Sequence, residues 1–221
     1  MRDQRAGDTA PERGRREHRK RITRRDLLVA GRRLFSEKGI YDARIEDLTH
    51  LAGVAKGTLY GYFADKEALI EAVVTSGFDE LAGVVQRATH GATTRAERIE
   101  RVAREHLVFL DENPDLMRVF HQVRGLLKFD EPHWPGLRRV FEYHLETVAR
   151  QISRDGRTVT ERDRAIAKLL FGAISGIAST RAATRPRESV AVDAQATAHA
   201  ITAAVLAYER ARSRGGRRGG R

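Results

Sequence analysis

Apolar residues recur at intervals of three and four along most of the chain, which is the spacing of an amphipathic helix. The first run holds Leu27 and Leu34, begins after Thr23, a residue suited to the N-cap, and stops at Gly39, a residue suited to a left-handed C′ position. It predicts a first helix over 23–38. Neither the alternating pattern of a strand nor an Asn-Gly hairpin signal occurs, so the pattern predicts an all-α protein.

Two short apolar patterns separated by a glycine follow the first helix. The pattern over 45–52 predicts a second helix that ends at Gly53, and Leu59 with Phe63 marks a third helix after Val54. Two short helices joined by a tight glycine turn form a helix-turn-helix. This segment is therefore the first candidate for a functional unit.

The rest of the chain continues in the same helical pattern. Asp65 is suited to the N-cap of a long fourth helix, and the two Pro-containing segments Asn113-Pro114 and 132–135 separate later helices. The later amphipathic runs predict helices over 98–111, 115–127, 135–153, 160–183 and 192–212.

The net charge of +11 changes this picture because it is concentrated at the two ends. Residues 1–25 carry a charge of +6 and residues 210–221 another +6, which leaves −1 for the chain between them. Lys/Arg-rich segments with few apolar residues are typical of disorder, and they bind phosphates without sequence preference. We interpret the N-terminal arm as a phosphate contact, whereas the C-terminal tail is equally well explained as a solvated end.

Composition excludes several classes of protein. The chain has no cysteine, so it forms no disulfide and no thiolate metal site. Nothing near Met1 resembles a signal peptide, and no apolar stretch approaches the length of a membrane span, so we expect a cytoplasmic location and no membrane partner. No Ser/His/Asp set, carboxylate pair, phosphate loop or metal cluster is evident, so we expect neither an enzyme nor a cofactor.

The segment GVAKGTLYGYF at 53–63 has the residue types of a helix that reads the DNA major groove. Val54, Leu59 and Phe63 are predicted to face inward, and Gly57 lets the backbone approach DNA closely. The alternative is an exposed helix with ordinary solvated side chains, which two tyrosines and a glycine within nine residues do not favour. The predicted outward-facing side chains are those of Lys56, Thr58, Tyr60 and Tyr62.

The continuous run GVAKGTLYGYFADKEAL at 53–69, with LFSEKGIYDA at 34–43 before it, resembles the TetR family of repressors over about residues 22–72. The resemblance implies an all-helical dimer of about nine helices per chain: an N-terminal three-helix helix-turn-helix domain followed by a larger helical ligand-binding and dimerisation domain. It places DNA contacts on Lys56, Gly57, Thr58, Tyr60 and Tyr62, a phosphate contact on Lys66, and a matching hydroxyl on Thr23. The implied organisation is an arm at 1–21, a DNA-binding domain at 22–66, a ligand-binding and dimerisation domain at 67–212 and a tail at 213–221.

The sequence departs from the family pattern at two helix starts. Ala43-Arg44 stands where the family usually has a pair of hydroxyl residues, so Arg44 is expected to replace the phosphate contact by its charge and Asp42 is the candidate cap. Ala55 replaces the usual serine before Lys-Gly. Loss of a hydroxyl cap costs about 1 kcal/mol of local stability.

Aromatic and apolar residues of the second half are candidates for the walls of a ligand pocket, although most such residues simply form core. Three histidines beside apolar faces either bind a metal or form interior hydrogen bonds, and the absence of acids at ligand spacing favours the second. Arg118 or Arg124 pairs with an acidic ligand if either points inward. The candidates are His106, Phe109, Met117, Phe120, His121, Trp134, Phe141, Tyr143, His144 and Phe171.

Small residues on the last two predicted helices favour close helix packing. Gly172 and Gly176 are four residues apart, and Ala200 and Ala204 repeat the spacing on the final helix. We predict a homodimer interface here; the alternative is packing within one subunit.

The sequence therefore predicts a regulator that binds a palindromic double-stranded DNA operator as a homodimer and is released by a small, largely apolar effector. A ligand-independent or nucleoid-type DNA-binding protein is the alternative. The sequence leaves open the effector, the operator and whether the ligand releases DNA or promotes binding.

Overall fold

The computed structural model describes residues 10–128, 134–153, 158–184, 189 and 193–215, and within those ranges the side chains from residue 23 to residue 211 other than that of Lys128. In this part of the chain the secondary structure is helical, which confirms the predicted fold class. No helix in these ranges is both long and apolar enough to cross a bilayer. The nine helices described are α1 (Ala10–Lys38), α2 (Ile45–Ala52), α3 (Lys56–Tyr60), α4 (Lys66–Thr89), α5 (Arg95–Glu112), α6 (Pro114–Lys128), α7 (Pro135–Ile152), α8 (Glu161–Thr184) and α9 (Ala194–Gly215).

Helix α1 begins at Ala10, so the prediction that Thr23 is its N-cap is wrong. Residues 10–21, expected to belong to a disordered arm, form the first turns of this helix. Glutamate, arginine and lysine dominate this stretch and are good helix formers, and Pro11 is tolerated because it lies in the first turn. At the other end, α9 continues to Gly215, past the predicted end at 212. The remaining parts of the predicted arm and tail, 1–9 and 216–221, lie outside the described residues.

The predicted helix-stop and helix-start signals near the helix-turn-helix are confirmed. Gly39 and Gly53 have φ of 86° and 64°, a left-handed conformation that residues with a Cβ rarely adopt. The Asp65 carboxylate accepts a hydrogen bond of 2.7 Å from the N–H of Ala68, so Asp65 caps α4.

Helix α5 begins at Arg95, three residues before the predicted start at 98. Two capping hydrogen bonds, similar to those of a capping box, account for the earlier start. The Thr94 hydroxyl accepts from the N–H of Glu97 at 3.1 Å, and the Glu97 carboxylate accepts from the N–H of Thr93 at 2.8 Å.

The chain divides into two compact units, one up to Val73 and one from Val74. The division falls inside α4, seven residues after the boundary expected at 66. In the first unit α1 packs on α2 and α2 on α3. Its buried apolar side chains include Leu27, Leu34, Phe35, Leu48, Leu59, Phe63, Leu69 and Ile70.

In the second unit α5 packs against α6, α7, α8 and α9, and α7 packs along α8. One largely buried arginine joins three of these helices: Arg95 contacts Asp163 of α8 at 2.5 Å and Glu209 of α9 at 2.7 Å. Removing one partner of such a buried group leaves an uncompensated charge, so this contact fixes the relative placement of α5, α8 and α9.

Candidate DNA-binding surface and ligand cavity

The turn between α2 and α3 has the geometry of a helix-turn-helix. The N–H of Gly53 donates to the carbonyl of His50 at 3.2 Å, and the N–H of Val54 donates to that of Thr49 at 3.0 Å. The chain thus leaves α2 through a left-handed residue and re-enters a helix at Lys56. Leu48 and Leu59, one from each helix, are both almost completely buried, which confirms the predicted motif.

The surface of α3 carries polar groups of the predicted types. Lys56, Thr58 and Tyr60 are exposed, Tyr60 by 47%. A Cβ built on Gly57 meets nothing within 4 Å, so the backbone is bare at that point. Tyr62 is half-buried, with its ring centroid 6.4 Å from that of Phe63. Of the residues expected to face inward, Leu59 and Phe63 are buried and Val54 is half-buried.

Neither short helix has a side-chain cap. Arg44 is the N-cap residue of α2 and Ala55 that of α3, both in extended conformation without a capping hydrogen bond. The expectation that Asp42 caps α2 is wrong, because Asp42 lies two residues before the N-cap position. Arg44 is exposed and therefore available to a phosphate.

Two lysines of this unit are paired with acids of α2. The Lys56 ammonium lies 2.6 Å from the carboxylate of Glu46, and that of Lys38 lies 2.8 Å from Asp47. The Lys56 contact lowers the pKa of Glu46 and raises the pKa of Lys56. Sequence reasoning missed both pairs, because their members lie nine and ten positions apart and only the tertiary fold brings them together.

The ammonium of Lys66, at the start of α4, donates to the carbonyl oxygen of Tyr41 at 3.0 Å. Partial burial lowers the pKa of Lys66, and the charge of Asp42 opposes that shift. Tyr41 itself is 77% exposed. Sequence reasoning did not single it out, because no periodic pattern distinguishes a residue in this short connection.

A second missed group is Arg24 of α1, whose guanidinium carbon lies 5.6 Å from the centroid of the Phe63 ring. This distance is typical of a cation–π contact. Arg24 is exposed and adds a positive charge beside the residues that follow α3.

The second unit contains a largely apolar cavity. Five predicted wall residues line it: His106, Met117, Phe120, His121 and Phe171. Its free volume of about 20 Å³ holds one or two water molecules. Sequence reasoning missed the contribution of α4, because that helix was not among those expected to form the pocket. The lining residues not predicted as walls are Phe78, Leu81, Leu110, Arg124, Ile174 and Ser175.

The other predicted wall residues have different places. Tyr143 is 65% exposed, so its assignment to a pocket wall is wrong. Phe109 and Trp134 are buried but do not line this cavity. Phe141 and His144 form a second layer: the Phe141 ring packs edge-on against Phe78 at 5.1 Å, and the His144 ring stacks on Phe78 at 4.1 Å.

The three histidines differ in their hydrogen bonds. His106 bonds through Nδ1 to the carbonyl of Val102 at 2.8 Å, and His121 bonds through Nε2 to the hydroxyl of Ser179 at 2.8 Å. Both ring nitrogens of His144 are buried without a partner among the described residues. Burial lowers the pKa of His106 to about 4 and that of His144 to about 3. Within the described ranges no three histidine or acidic side chains are grouped so that they could hold a metal ion.

The small residues predicted for a dimer interface are exposed. A Cβ built on Gly172 or Gly176 of α8 meets no atom within 4 Å, and Ala200 and Ala204 of α9 are open to solvent. These four residues therefore do not pack within the described subunit, whereas Ser175 and Ala178, also on α8, are buried in it.

Comparison with known proteins matches residues 27–73 to the family described as bacterial regulatory proteins, tetR family. The HTH-type transcriptional regulator UidR of Escherichia coli K12 is 40% identical over 52 residues, 24% of this chain and 26% of UidR. The match thus spans about a quarter of that relative's length.

Solved structures extend the likeness of fold beyond the N-terminal domain. The regulator FadR of Bacillus subtilis, in complex with stearoyl-CoA, is 16% identical with a TM-score of 0.69, over 80% of this chain and 96% of FadR. A TetR-like transcriptional regulator of Rhodococcus sp. RHA1 is 19% identical with a TM-score of 0.61, over 84% of this chain and 96% of that one. The helix-turn-helix segment, residues 27–73, therefore belongs to the TetR family of bacterial regulatory proteins, and the helical architecture of the chain is similar to that of the solved regulators.

Proposed function

We propose that the chain is a transcriptional repressor that binds a palindromic DNA operator as a homodimer and releases it when a small, largely apolar ligand binds. The observation that carries the proposal is the exposed polar face of α3, formed by Lys56, Thr58 and Tyr60 around the bare backbone of Gly57. A recognition helix of this kind offers donors to base edges in the major groove.

The positions of a few basic and polar side chains, rather than the net charge, account for the proposed DNA binding by this unit. Residues 26–70 contain six basic and seven acidic side chains, so the segment is almost neutral. Phosphate contacts are assigned to Arg44, Lys66 and Tyr62, which flank α3 in the sequence and position it in the groove. The basic segment before residue 26 supplies further affinity without sequence preference.

The exposed small-residue face of α8 and α9 supports the homodimer. Gly172 and Gly176 permit close approach of a second helix, and the same two helices expose Leu169 by 45% and Tyr208 by 43%. A twofold dimer presents two identical recognition helices about 34 Å apart, so it matches an operator with two inverted half-sites.

The cavity of the second unit supports a ligand-controlled protein. Its walls are mainly aromatic and aliphatic, and the FadR structure of similar fold holds stearoyl-CoA, a ligand with a long apolar chain. At about 20 Å³ the cavity is too small for an organic ligand. A ligand therefore binds a wider conformation and shifts the population towards it, and release follows if that conformation binds DNA more weakly.

Selection of binding sites from a random duplex library tests the proposal. We expect the full-length chain to enrich an inverted repeat with half-site centres about one DNA turn apart. The double variant Lys56→Ala/Tyr60→Ala removes the two long side chains from the exposed face of α3. We expect it to fold but to enrich no sequence. If the wild-type chain enriches no sequence, the result contradicts a repressor and supports the nucleoid-type alternative.

A further inference from the structure

One arginine of the second unit lies on the wall of the apolar cavity. Arg124 of α6 lines the cavity half-buried, and its guanidinium carbon is 5.5 Å from the centroid of the Phe171 ring. Within the described residues no carboxylate lies at ion-pair distance from it. Other arginines of this unit do hold acids: Arg95 with Asp163, Arg101 with Glu97, Arg164 with Glu146 and Arg181 with Asp193.

A cation that faces an apolar cavity loses hydration, and a carboxylate or phosphate normally compensates that loss. The guanidinium also presents paired donors that match the two oxygens of a carboxylate. Arg124 therefore has the chemistry of an anion receptor whose counter-ion is not supplied by the described part of the chain.

The neighbouring His121–Ser179 pair does not compete for this role. The Ser179 hydroxyl donates to the carbonyl of Ser175 at 2.6 Å, so its oxygen accepts from Nε2–H of His121 at 2.8 Å. With its single proton in the hydrogen bond to the Ser175 carbonyl, the Ser179 hydroxyl does not donate to the imidazole, which is not the arrangement of a nucleophile and its base. Burial and the charge of Arg124 lower the pKa of His121, so the imidazole is neutral at pH 7 and Arg124 carries the positive charge at this end.

The rest of the cavity suits a hydrocarbon group. The rings of Phe78 and Phe120 stack with centroids 4.5 Å apart, and Leu81, Leu110 and Ile174 complete an aliphatic lining. The side chains of Met117, half-buried, and Phe120, buried, fill space beside it on α6. Met117 is unbranched and its thioether side chain adapts readily to the shape of a neighbouring group.

We propose that the ligand of this cavity is an amphipathic organic monocarboxylate. In the wider conformation its carboxylate pairs with the guanidinium of Arg124 and its apolar body packs against Phe171 and the stacked pair of Phe78 and Phe120. This inference rests on the proposed function only in taking the cavity to be the effector site, and it adds the charge and shape of the effector.

Calorimetric binding of two probes to the full-length protein, without DNA, tests the inference. Decanoate carries the carboxylate, and decan-1-ol has the same chain without the charge. We expect decanoate to bind wild type about tenfold more tightly or better, since a hydrogen bond to a charged group contributes more than one to a neutral group. Arg124→Gln is expected to remove this preference while decan-1-ol binding stays the same, and Arg124→Lys to restore part of it.

Arg118→Gln is the matched control. It removes the same charge from the same helix, but Arg118 is exposed, so the preference for decanoate is expected to persist. The inference is overturned if decanoate binds wild type no more tightly than decan-1-ol, including the case in which neither binds, or if Arg124→Gln keeps the preference. Thermal unfolding of each variant shows that it folds. If decanoate binding depends on Arg124 but the protein selects no operator, this inference stands and the proposed repressor function fails. If the protein selects an operator but decanoate binding does not depend on Arg124, the repressor function stands and this inference fails.

Discussion

The ammonium of Lys56 on α3, the proposed recognition helix, lies 2.6 Å from the carboxylate of Glu46 on α2. Both side chains are more than half exposed, so water and salt screen the pair and it adds little to folding stability. The pair also bears on the proposed DNA contact of α3. If Lys56 binds DNA as proposed, binding either breaks its contact with Glu46 or brings the Glu46 carboxylate close to the phosphates.

Replacing Glu46 with Gln tests this relationship. The variant leaves Lys56 without its acidic partner and removes a negative charge beside the proposed DNA surface, so we expect affinity for operator and random DNA to rise by about threefold to tenfold at low salt. Glu37→Gln is the control, because it makes the same change of net charge on α1, where Glu37 pairs with Arg33. An equal increase in both variants would show that net charge alone is responsible.

Lys66 is expected to contact phosphate. The Tyr41 carbonyl orients its ammonium, so Lys66→Ala should weaken binding to all sequences and reduce the slope of log K against log salt by about 0.9. Lys38→Ala is a second lysine variant in the same unit, with its ammonium held by Asp47, and its slope should stay closer to wild type. A salt slope that is unchanged in Lys66→Ala contradicts the phosphate contact.

The sequence predicted most of the helices because their signals are local. Gly39, Gly53 and Asp65 each determine a helix end through their own φ angle or side chain, and all three behave as predicted. The start of α1 was missed for a different reason. Thr23 is a good cap in isolation, but the helix-forming residues before it extend the helix past that position.

The candidate sites were less predictable because they depend on which faces meet. The apolar period indicated that His144 and Phe120 are interior, but it did not distinguish the cavity wall from the layer behind it. The choice between Arg118 and Arg124 also required tertiary structure. Two positions six apart on a helix face different directions, and only the packing shows which one reaches the cavity.

Helix α8 provides a test of dimerisation. Gly176→Arg places a large charged side chain on the exposed small-residue face, so we expect light scattering after gel filtration to show a monomer where wild type is a dimer. Gly125→Arg is the control, because a Cβ added to Gly125 of α6 also meets nothing within 4 Å. Both variants replace a helical glycine with a better helix former, so they change helix propensity alike. Loss of the dimer in both variants would contradict the assignment of the interface to α8.

The buried histidines predict a dependence of stability on pH. Their pKa values, about 4 for His106 and about 3 for His144, lie below the ordinary 6.5, so the unfolded chain binds more protons than the folded one as pH falls. Their contribution to stability is complete above pH 6.5. It declines below that value, by up to about 1.4 kcal/mol per pH unit for each histidine, until the folded pKa is reached.

His144→Phe isolates one of these groups. It keeps an aromatic ring stacked on Phe78, removes the two unpartnered nitrogens, and is expected to reduce the loss of stability between pH 6.5 and pH 4.5. Urea unfolding at fixed protein concentration measures the effect, with the exposed His90→Gln as control. If the variant loses as much stability over this range as wild type, His144 is not the group that takes up the proton.

The ratio of affinities for the selected operator and for a scrambled duplex of equal length tests the central claim most directly. It is measured by equilibrium binding at physiological salt with the full-length protein. We expect a ratio of about 10³ or more, which typical sequence-specific proteins reach. The double variant Lys56→Ala/Tyr60→Ala should lower that ratio while its binding to the scrambled duplex changes much less. A wild-type ratio near one would contradict sequence-specific recognition by α3.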